Sequence, residues 1–297
     1  MTHRCGFVAV VGAPNAGKST IVNALVGQKV AIVSPKAQTT RTRLMGVAMD
    51  GETQIVLIDT PGIFAPTRRL DRAMVAAAWN SLDQAEAILV MIDAAAKLGE
   101  RAERVLQGIE GRPEKKFLVL NKVDLTRKDK LLTTAMTLNE RVAFDETFFI
   151  SASTGDGVPE LKATLAKLMP EGPWHFPEDE VSNAPERILA AEITREQLFR
   201  QLHEELPYQS TVETEKFTTR KDGSAEIHQQ ILVARDNQRA IILGHKGERI
   251  KDIGSKSRAE LAELLGRTVH LFLHVKVKAN WDEDRGVYRD MGLDWVD

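Results

Sequence analysis

Short apolar runs recur through the first 170 or so positions of the chain: GFVAVVG, RLMGVAMD, QIVLIDT, AILVMID, KFLVLNK and TFFIS. Most are apolar at successive positions, the pattern of strands buried on both faces. Helix-length segments at 68–81, 98–109, 127–143 and 157–169 separate them. The second and third runs are joined instead by Asp50-Gly51, a hairpin turn signal. Strand and helix alternating in this way predict a doubly wound α/β domain on a mostly parallel six-stranded sheet, with one antiparallel strand from the hairpin.

The pattern changes at EGPWHFPEDEVSNAPE, residues 171–186, where prolines and acids make a poor helix or strand. We place a linker at 173–185, after a first domain of residues 1–172. A helix at 186–205 follows, then strands TVETEKF and AEIHQQILVA joined by a Lys221-Asp222-Gly223 turn. In the second of these strands Ala225, Ile227, Gln229, Ile231 and Val233 alternate with Glu226, His228 and Gln230, a period of two. An apolar, strand-like IIL leads into GHKG, a helix at 256–265 stops at Gly266, and a last strand, VHLFLHVKVK, alternates again. Residues 186–281 thus read as a small α+β domain, and the acidic residues 282–297 as a solvated tail.

Composition narrows the class. A chain of 297 residues is long for one domain, and 43% hydrophobic with 28% charged residues marks a globular protein. No apolar run approaches the roughly 18 residues of a membrane span. The N-terminus lacks the segments of a signal peptide, so a cytoplasmic protein is expected. Cys5 is the single cysteine, which excludes an internal disulfide and suits a reducing compartment. We read it as a small apolar residue at a strand start. The net charge of −2 announces no nucleic acid, so any RNA site must be a local patch.

The chemistry begins at GAPNAGKST, which fits G-x-x-x-x-G-K-[ST] between a strand and a helix. Gly12, Ala13, Pro14, Asn15, Ala16 and Gly17 would turn backbone N–H groups onto a β-phosphate, helped by the helix start that carries Thr20. Lys18 supplies a point charge to the β- and γ-phosphates, and the Ser19 hydroxyl suits Mg²⁺. NKVD selects the base: Asp124 accepts from the ring N–H and exocyclic amine of guanine, a donor pair adenine lacks. Asn121 would reach guanine's other edge and tie the site together, with the Lys122 stem across the base. Ser151 and Ala152 of SAS follow, the latter offering a backbone N–H to the guanine oxygen. In DTPG, residues Asp59, Thr60, Pro61 and Gly62, Asp59 would hold Mg²⁺ through water and Gly62 donate to the γ-phosphate. A threonine of SPKAQTTRTR would reach Mg²⁺ only with the γ-phosphate present; Thr40 is favoured, with Thr39 close behind. Ile63 stands where Ras-type GTPases carry the water-orienting glutamine, so either hydrolysis is slow and aided externally or another group positions the water.

Together GAPNAGKST, AQTTR, DTPGIF, NKVD and SAS resemble the translation-factor-like bacterial GTPases in which a hydrophobic residue replaces that glutamine. HFPED, ELPYQSTVE and GHKGERIKDIG with VHLFLHVKVKANW resemble the RNA-binding half of the Era family, so the likeness covers nearly the whole chain. The resemblance implies a GTP-hydrolysing ribosome-assembly factor that binds GTP and GDP, the 30S subunit and 16S rRNA near its 3′ end. It implies a type II KH domain and a peripheral fraction on the inner face of the cell membrane, and a monomer is expected. In related potassium-activated GTPases the residue matching Asn15 is a potassium ligand; here it is a candidate K⁺ ligand or merely shapes its loop.

Two glycines three apart mean little alone, and GIEG at 108–111 repeats the spacing; we read that pair as a helix stop. Gly244 and Gly247 differ in context. A KH loop clamps nucleotide backbones between such glycines, here flanking His245 and Lys246. Arg249, Lys251, Lys256 and Arg258 could meet phosphates, and residues 239–258 hold six basic against two acidic residues. Ile227 and Ile231 are candidates for an apolar groove floor, or else core. His270 and His274 lie some 13 Å apart along one strand, too far for a metal pair. Two alternatives remain: an RNA-binding scaffold whose nucleotide site acts by occupancy, and a P-loop kinase or ATPase, which NKVD disfavours.

Overall fold

A computed structural model of the chain describes residues 3–36, 39–41, 44–178 and 180–296. Ala37 and Gln38 of the AQTTR motif and Asp297 of the tail lie outside them. The chain divides into two compact units, one of residues 1–31, 40–183 and 291–297, the other of 32–39 and 184–290.

The first unit is the expected α/β domain. Its strands are β1 (Arg4–Gly12), β2 (Leu44–Asp50), β3 (Thr53–Asp59), β4 (Ala87–Asp93), β5 (Lys115–Asn121) and β6 (Glu146–Ile150). They form one sheet in the order β2-β3-β1-β4-β5-β6, antiparallel between β2 and β3 and parallel elsewhere. Its helices are α1 (Lys18–Val26), α2 (Arg69–Asn80), α3 (Glu100–Ile109), α4 (Lys128–Arg141) and α5 (Val158–Leu168). The successive apolar positions of β1 fill both layers of core. Val8 and Val10 meet Ile21 and Leu25 of α1 and Leu161 and Leu165 of α5. Ala9 and Val11 join the cluster of Val105 and Ile109 of α3 and Leu131 and Leu138 of α4. Helices on both faces are what parallel strands require.

The GIEG reading is corrected in part. Gly108 lies inside α3, where a Cβ would come within 2.0 Å of the Trp79 ring, so close packing explains it. Gly111, at φ +75°, provides the turn after the helix. The expected linker also proves to be structured. Trp174 Nε1 donates to the Glu52 carbonyl, and the N–H groups of His175 and Phe176 donate to Gln54 Oε1. Val47 N–H donates to the Val181 carbonyl and Met45 N–H to Asn183 Oδ1. Prolines keep this stretch from becoming a regular strand, but it satisfies the open edge of β2 up to Asn183.

The second unit contains α6 (Glu186–Gln201), β7 (Ser210–Thr219), β8 (Ala225–Val233), α7 (Asp236–Leu243), α8 (Glu248–Leu265), β9 (Val269–Val277) and α9 (Arg285–Asp290). Its sheet runs β7-β8-β9, antiparallel then parallel. Two expectations fail here. Ile241, Ile242 and Leu243 end helix α7 and form no strand, and α8 begins at Glu248, eight residues before the expected start. The tail is not simply solvated: Val287 and Tyr288 are buried, and the Tyr288 hydroxyl donates to the Asp282 carbonyl at 2.8 Å. Just before the tail Trp281 is buried, with Nε1 donating to the Gln209 carbonyl. Further on, Arg69 of the first unit lies over the Trp295 ring at 4.5 Å.

Candidate functional site

The strands β1, β3 and β5 end on Gly12, Asp59 and Asn121, so the carboxyl edge of the sheet gathers the motifs, as open α/β sheets do. The phosphate loop turns through left-handed backbone at Asn15 (φ 65°) and Gly17 (φ 96°) into α1. Gly17 is required twice: by its φ, and because a Cβ there would meet Asn121 Nδ2 at 2.0 Å. Asn121 Nδ2 donates to the Ala16 carbonyl at 2.9 Å, and Ala152 N–H donates to Asn121 Oδ1 at 3.0 Å. One buried side chain therefore joins the phosphate loop, NKVD and SAS.

Lys18 is buried and its Nζ donates to the carbonyls of Gly12 and Ala13 at 3.2 and 3.0 Å. Burial pushes its ammonium down to about 8, and the Asp59 carboxylate opposes that fall. Three hard oxygens converge beside it. Ser19 Oγ lies 2.8 Å from Asp59 Oδ2 and 2.9 Å from Thr40 Oγ1, and Thr40 Oγ1 lies 3.2 Å from Asp59 Oδ2. This donor set suits Mg²⁺, which takes oxygen ligands. Thr39 turns away, its hydroxyl donating to the Lys36 carbonyl at 2.8 Å, so the geometry separates two threonines that the sequence left close.

The rest of DTPG divides. Thr60 is fully buried and its hydroxyl donates to the Val10 carbonyl at 2.7 Å, so that side chain braces β1. Gly62 runs against Pro14, where a Cβ would sit 2.9 Å from the ring. Ile63 N–H donates to the Gly12 carbonyl at 3.1 Å while its side chain enters the core beside Ala9 and Val11. Lys122 is left-handed (φ 66°) and salt-bridged to Asp93 at 2.6 Å, a partner the sequence did not suggest. Asp124 is exposed. Ser151 closes its own loop through Thr154 N–H, which donates to Ser151 Oγ at 3.3 Å.

In the second unit, Gly244 and Gly247 join α7 to α8. Gly244 (φ 73°) has no room for a Cβ, which would meet Arg249 Cβ at 2.7 Å, and Gly247 (φ 81°) faces open space. Lys246 between them is also left-handed (φ 48°), and His245, Lys246, Arg249, Lys251 and Lys256 are exposed. Arg249 Nη1 donates to the Ile241 carbonyl at 2.7 Å, and Lys256 pairs with Asp252 at 2.7 Å. Ile227 and Ile231 must be withdrawn as a groove floor: both have no exposed surface and belong to the core under α6 and α8. The loop-side apolar surface comes instead from Ile241, 47% exposed, which sequence reasoning had placed in a strand.

A phosphate loop, a cluster of Ser19, Thr40 and Asp59 oxygens and an NKVD motif at one edge of a mostly parallel sheet are the marks of a P-loop GTPase, here followed by a helix–GxxG–helix unit of KH type. The family described as 50S ribosome-binding GTPase matches residues 7–122, and the KH domain family matches residues 205–282. The chain belongs to the Era family of GTPases. It is 59% identical over 297 residues to GTPase Era of Erythrobacter litoralis, covering 99% of this chain and 98% of that one. GTPase Era of Afipia carboxidovorans is 56% identical over 292 residues, 98% of this chain and 95% of the relative. A crystal structure of Era with MgGDPNP and nucleotides 1506–1542 of 16S ribosomal RNA superposes with a TM-score of 0.92 at 39% identity, covering 98% and 99% of the two chains. Aquifex aeolicus Era bound to GDP and AlF₄⁻, in a point-mutant form, gives the same score and identity over 97% and 99%.

Proposed function

We propose that the chain is a Mg²⁺-dependent GTP switch that engages 16S rRNA near its 3′ end and assists assembly of the 30S subunit. The observation that carries the nucleotide half is the convergence of Ser19, Thr40 and Asp59 oxygens beside the buried Lys18. In this reading Ser19 and Thr40 hold the metal directly and Asp59 through water. Bound there, Mg²⁺ neutralises charge developing on the phosphates. Lys18 exchanges the Gly12 and Ala13 carbonyls for phosphate oxygens, whose negative charge opposes the downward push of burial on its ammonium. Gly62 offers its N–H to the γ-phosphate, and Thr40 answers to that same phosphate, so hydrolysis releases both segments. Asn121 and Asp124 read guanine, with Lys122 against the base and the Ala152 N–H at its oxygen.

For the RNA half, the exposed His245-Lys246 pair between two left-handed glycines supports a backbone clamp, with Arg249, Lys251 and Lys256 toward phosphates. Era itself is described with a 16S rRNA fragment, which supplies the RNA named here. Measuring GTP hydrolysis with and without 30S subunits tests the switch: turnover that rises with subunits is expected. No turnover in either condition would leave an RNA scaffold that uses nucleotide by occupancy.

Asn15 as a potassium ligand is part of the same proposal. Its left-handed backbone lies in the phosphate loop, and Ile63 has no group to orient water. Equal turnover in potassium and sodium chloride would overturn it. A monomer with a peripheral fraction at the inner membrane face completes the reading. No helix among the described residues is long and apolar enough to cross a membrane, and vesicle flotation tests the contact.

A further inference from the structure

The glycine loop leaves one face of the second unit unused. In β8, Ala225, Ile227, Gln229 and Ile231 are buried against the helices, so Glu226, His228 and Gln230 point the other way. In the parallel register, β9 sets His270 opposite Glu226, Phe272 opposite His228, and His274 opposite Gln230. The outer surface is therefore a small lattice with rings along one row. Phe272 is 48% exposed, in a strand where the inward positions Val269 and Val275 are buried. Its ring is stacked on the His228 imidazole, centroids 4.6 Å apart and planes 20° apart.

The chemistry around these rings selects a partner. A protein-docking surface would surround Phe272 with further apolar side chains. Its neighbours on this face are instead histidine, glutamine and a paired carboxylate. Glu226 is already engaged by Lys216 and Arg220 at 2.7 Å each and by His228 at 3.0 Å, so it presents no spare charge to repel an anion. Lys276 extends the outer row of β9 and is exposed. An edge-strand ring stacked on an imidazole of the central strand, with Lys276 exposed along its row and the adjoining Glu226 paired, has the features that stack bases of unpaired strands. The further acids Glu213 and Glu215 lie across the sheet on β7, Glu215 held by Gln230.

We propose that this outer face is a second nucleic-acid contact, where an unpaired base stacks on Phe272 and its phosphates meet Lys276 and the His270 and His274 ring nitrogens. It rests on the reading that the second unit binds RNA, and it is separate from the glycine loop, which lies between two helices. Aromatic residues are few in the chain, and the exposure of Phe272 follows only from strand register.

The test uses the full chain and an RNA of 16S nucleotides 1506–1542, with affinity read by filter binding. Phe272→Ala is expected to weaken binding about tenfold, the effect of losing one stacked base, while Phe272→Tyr stays within about twofold of the parent. Neither should change GTP hydrolysis in the absence of RNA or the melting temperature. Ultraviolet crosslinking with 5-iodouridine-substituted RNA should label the peptide containing residues 269–277. Phe272→Ala binding as tightly as the parent, with no label on that peptide, overturns the proposal, including the case where the face then captures a protein. Failure of the clamp shows differently: Lys246→Asp would leave affinity intact while Phe272→Ala still lowered it. An unmodified chain that bound no RNA would defeat both.

Discussion

At the scale of single residues, the clearest gain over the sequence concerns neighbouring threonines. Both carry a hydroxyl in a polar loop, and no periodicity orients them. Yet Thr40 Oγ1 stands 2.9 Å from Ser19 Oγ, while Thr39 Oγ1 donates to the Lys36 carbonyl. Thr40→Ala should therefore lower kcat for GTP hydrolysis about 10²-fold, the scale of losing one preorganised group around developing charge. GDP affinity should stay unchanged, since in the proposed switch that threonine answers to the γ-phosphate, which GDP lacks. Thr39→Ala should leave both constants near the parent value. Steady-state turnover and nucleotide titration of the two variants check this, and equal losses in both would sink it. For Asn121 the sequence already suggests a tie between motifs, since NKVD gains its meaning from the phosphate loop before it and SAS after it, and its side chain does bond Ala16 and Ala152. Ile63 was legible as a residue unable to orient water, but not as one whose side chain enters the core beside Ala9.

At the scale of elements, the six strands of the first unit were legible because buried parallel strands are continuous apolar runs, and little else in a chain looks like them. The second unit was harder. Ile241-Ile242-Leu243 is too short for its period to separate helix from strand. A glycine inside a helix has opposite meanings in the two units, which gives a paired test. Gly254→Ala places a Cβ 3.4 Å from Leu273 Cδ1, an ordinary contact, so the helix should gain about 0.5–1 kcal/mol. Gly108→Ala drives a Cβ into the Trp79 ring and should cost about 1–3 kcal/mol. Urea titrations of both variants should show midpoint shifts of opposite sign. The β7–β8 pair carries a pH dependence of its own. Hydrogen bonds from Lys216, His228 and Arg220 hold the Glu226 carboxyl near 2, against an ordinary value of 4.5. Its stabilisation is complete above about pH 4.5 and is lost as pH falls toward about 2. Glu226→Gln should flatten that part of the stability profile of the second unit, and an unchanged profile would contradict the pairing.

At the scale of the whole molecule, the net charge of −2 hides a division of labour. A slightly acidic protein offers a polyanion little long-range attraction, so in the proposed reading the phosphate contacts come from local cations, chief among them those clustered after Gly244. Each phosphate that such a cation neutralises on a single strand steepens the salt dependence of binding by about 0.7 in log–log slope. Lys246 and Lys251 are exposed, and no salt bridge is seen for either among the described residues, so Lys246→Ala and Lys251→Ala should each flatten the slope by about that amount. Lys256 differs because Asp252 already neutralises it at 2.7 Å. Lys256→Ala should therefore change the slope less, and Asp252→Asn should steepen binding by freeing it. GTP affinity should be the same in all four variants, since the nucleotide groups lie in the other unit. Fluorescence anisotropy of labelled RNA from about 50 to 200 mM salt reads the slopes directly. A slope unmoved by Lys246→Ala or Lys251→Ala would mean that the glycine loop is not where the backbone is held.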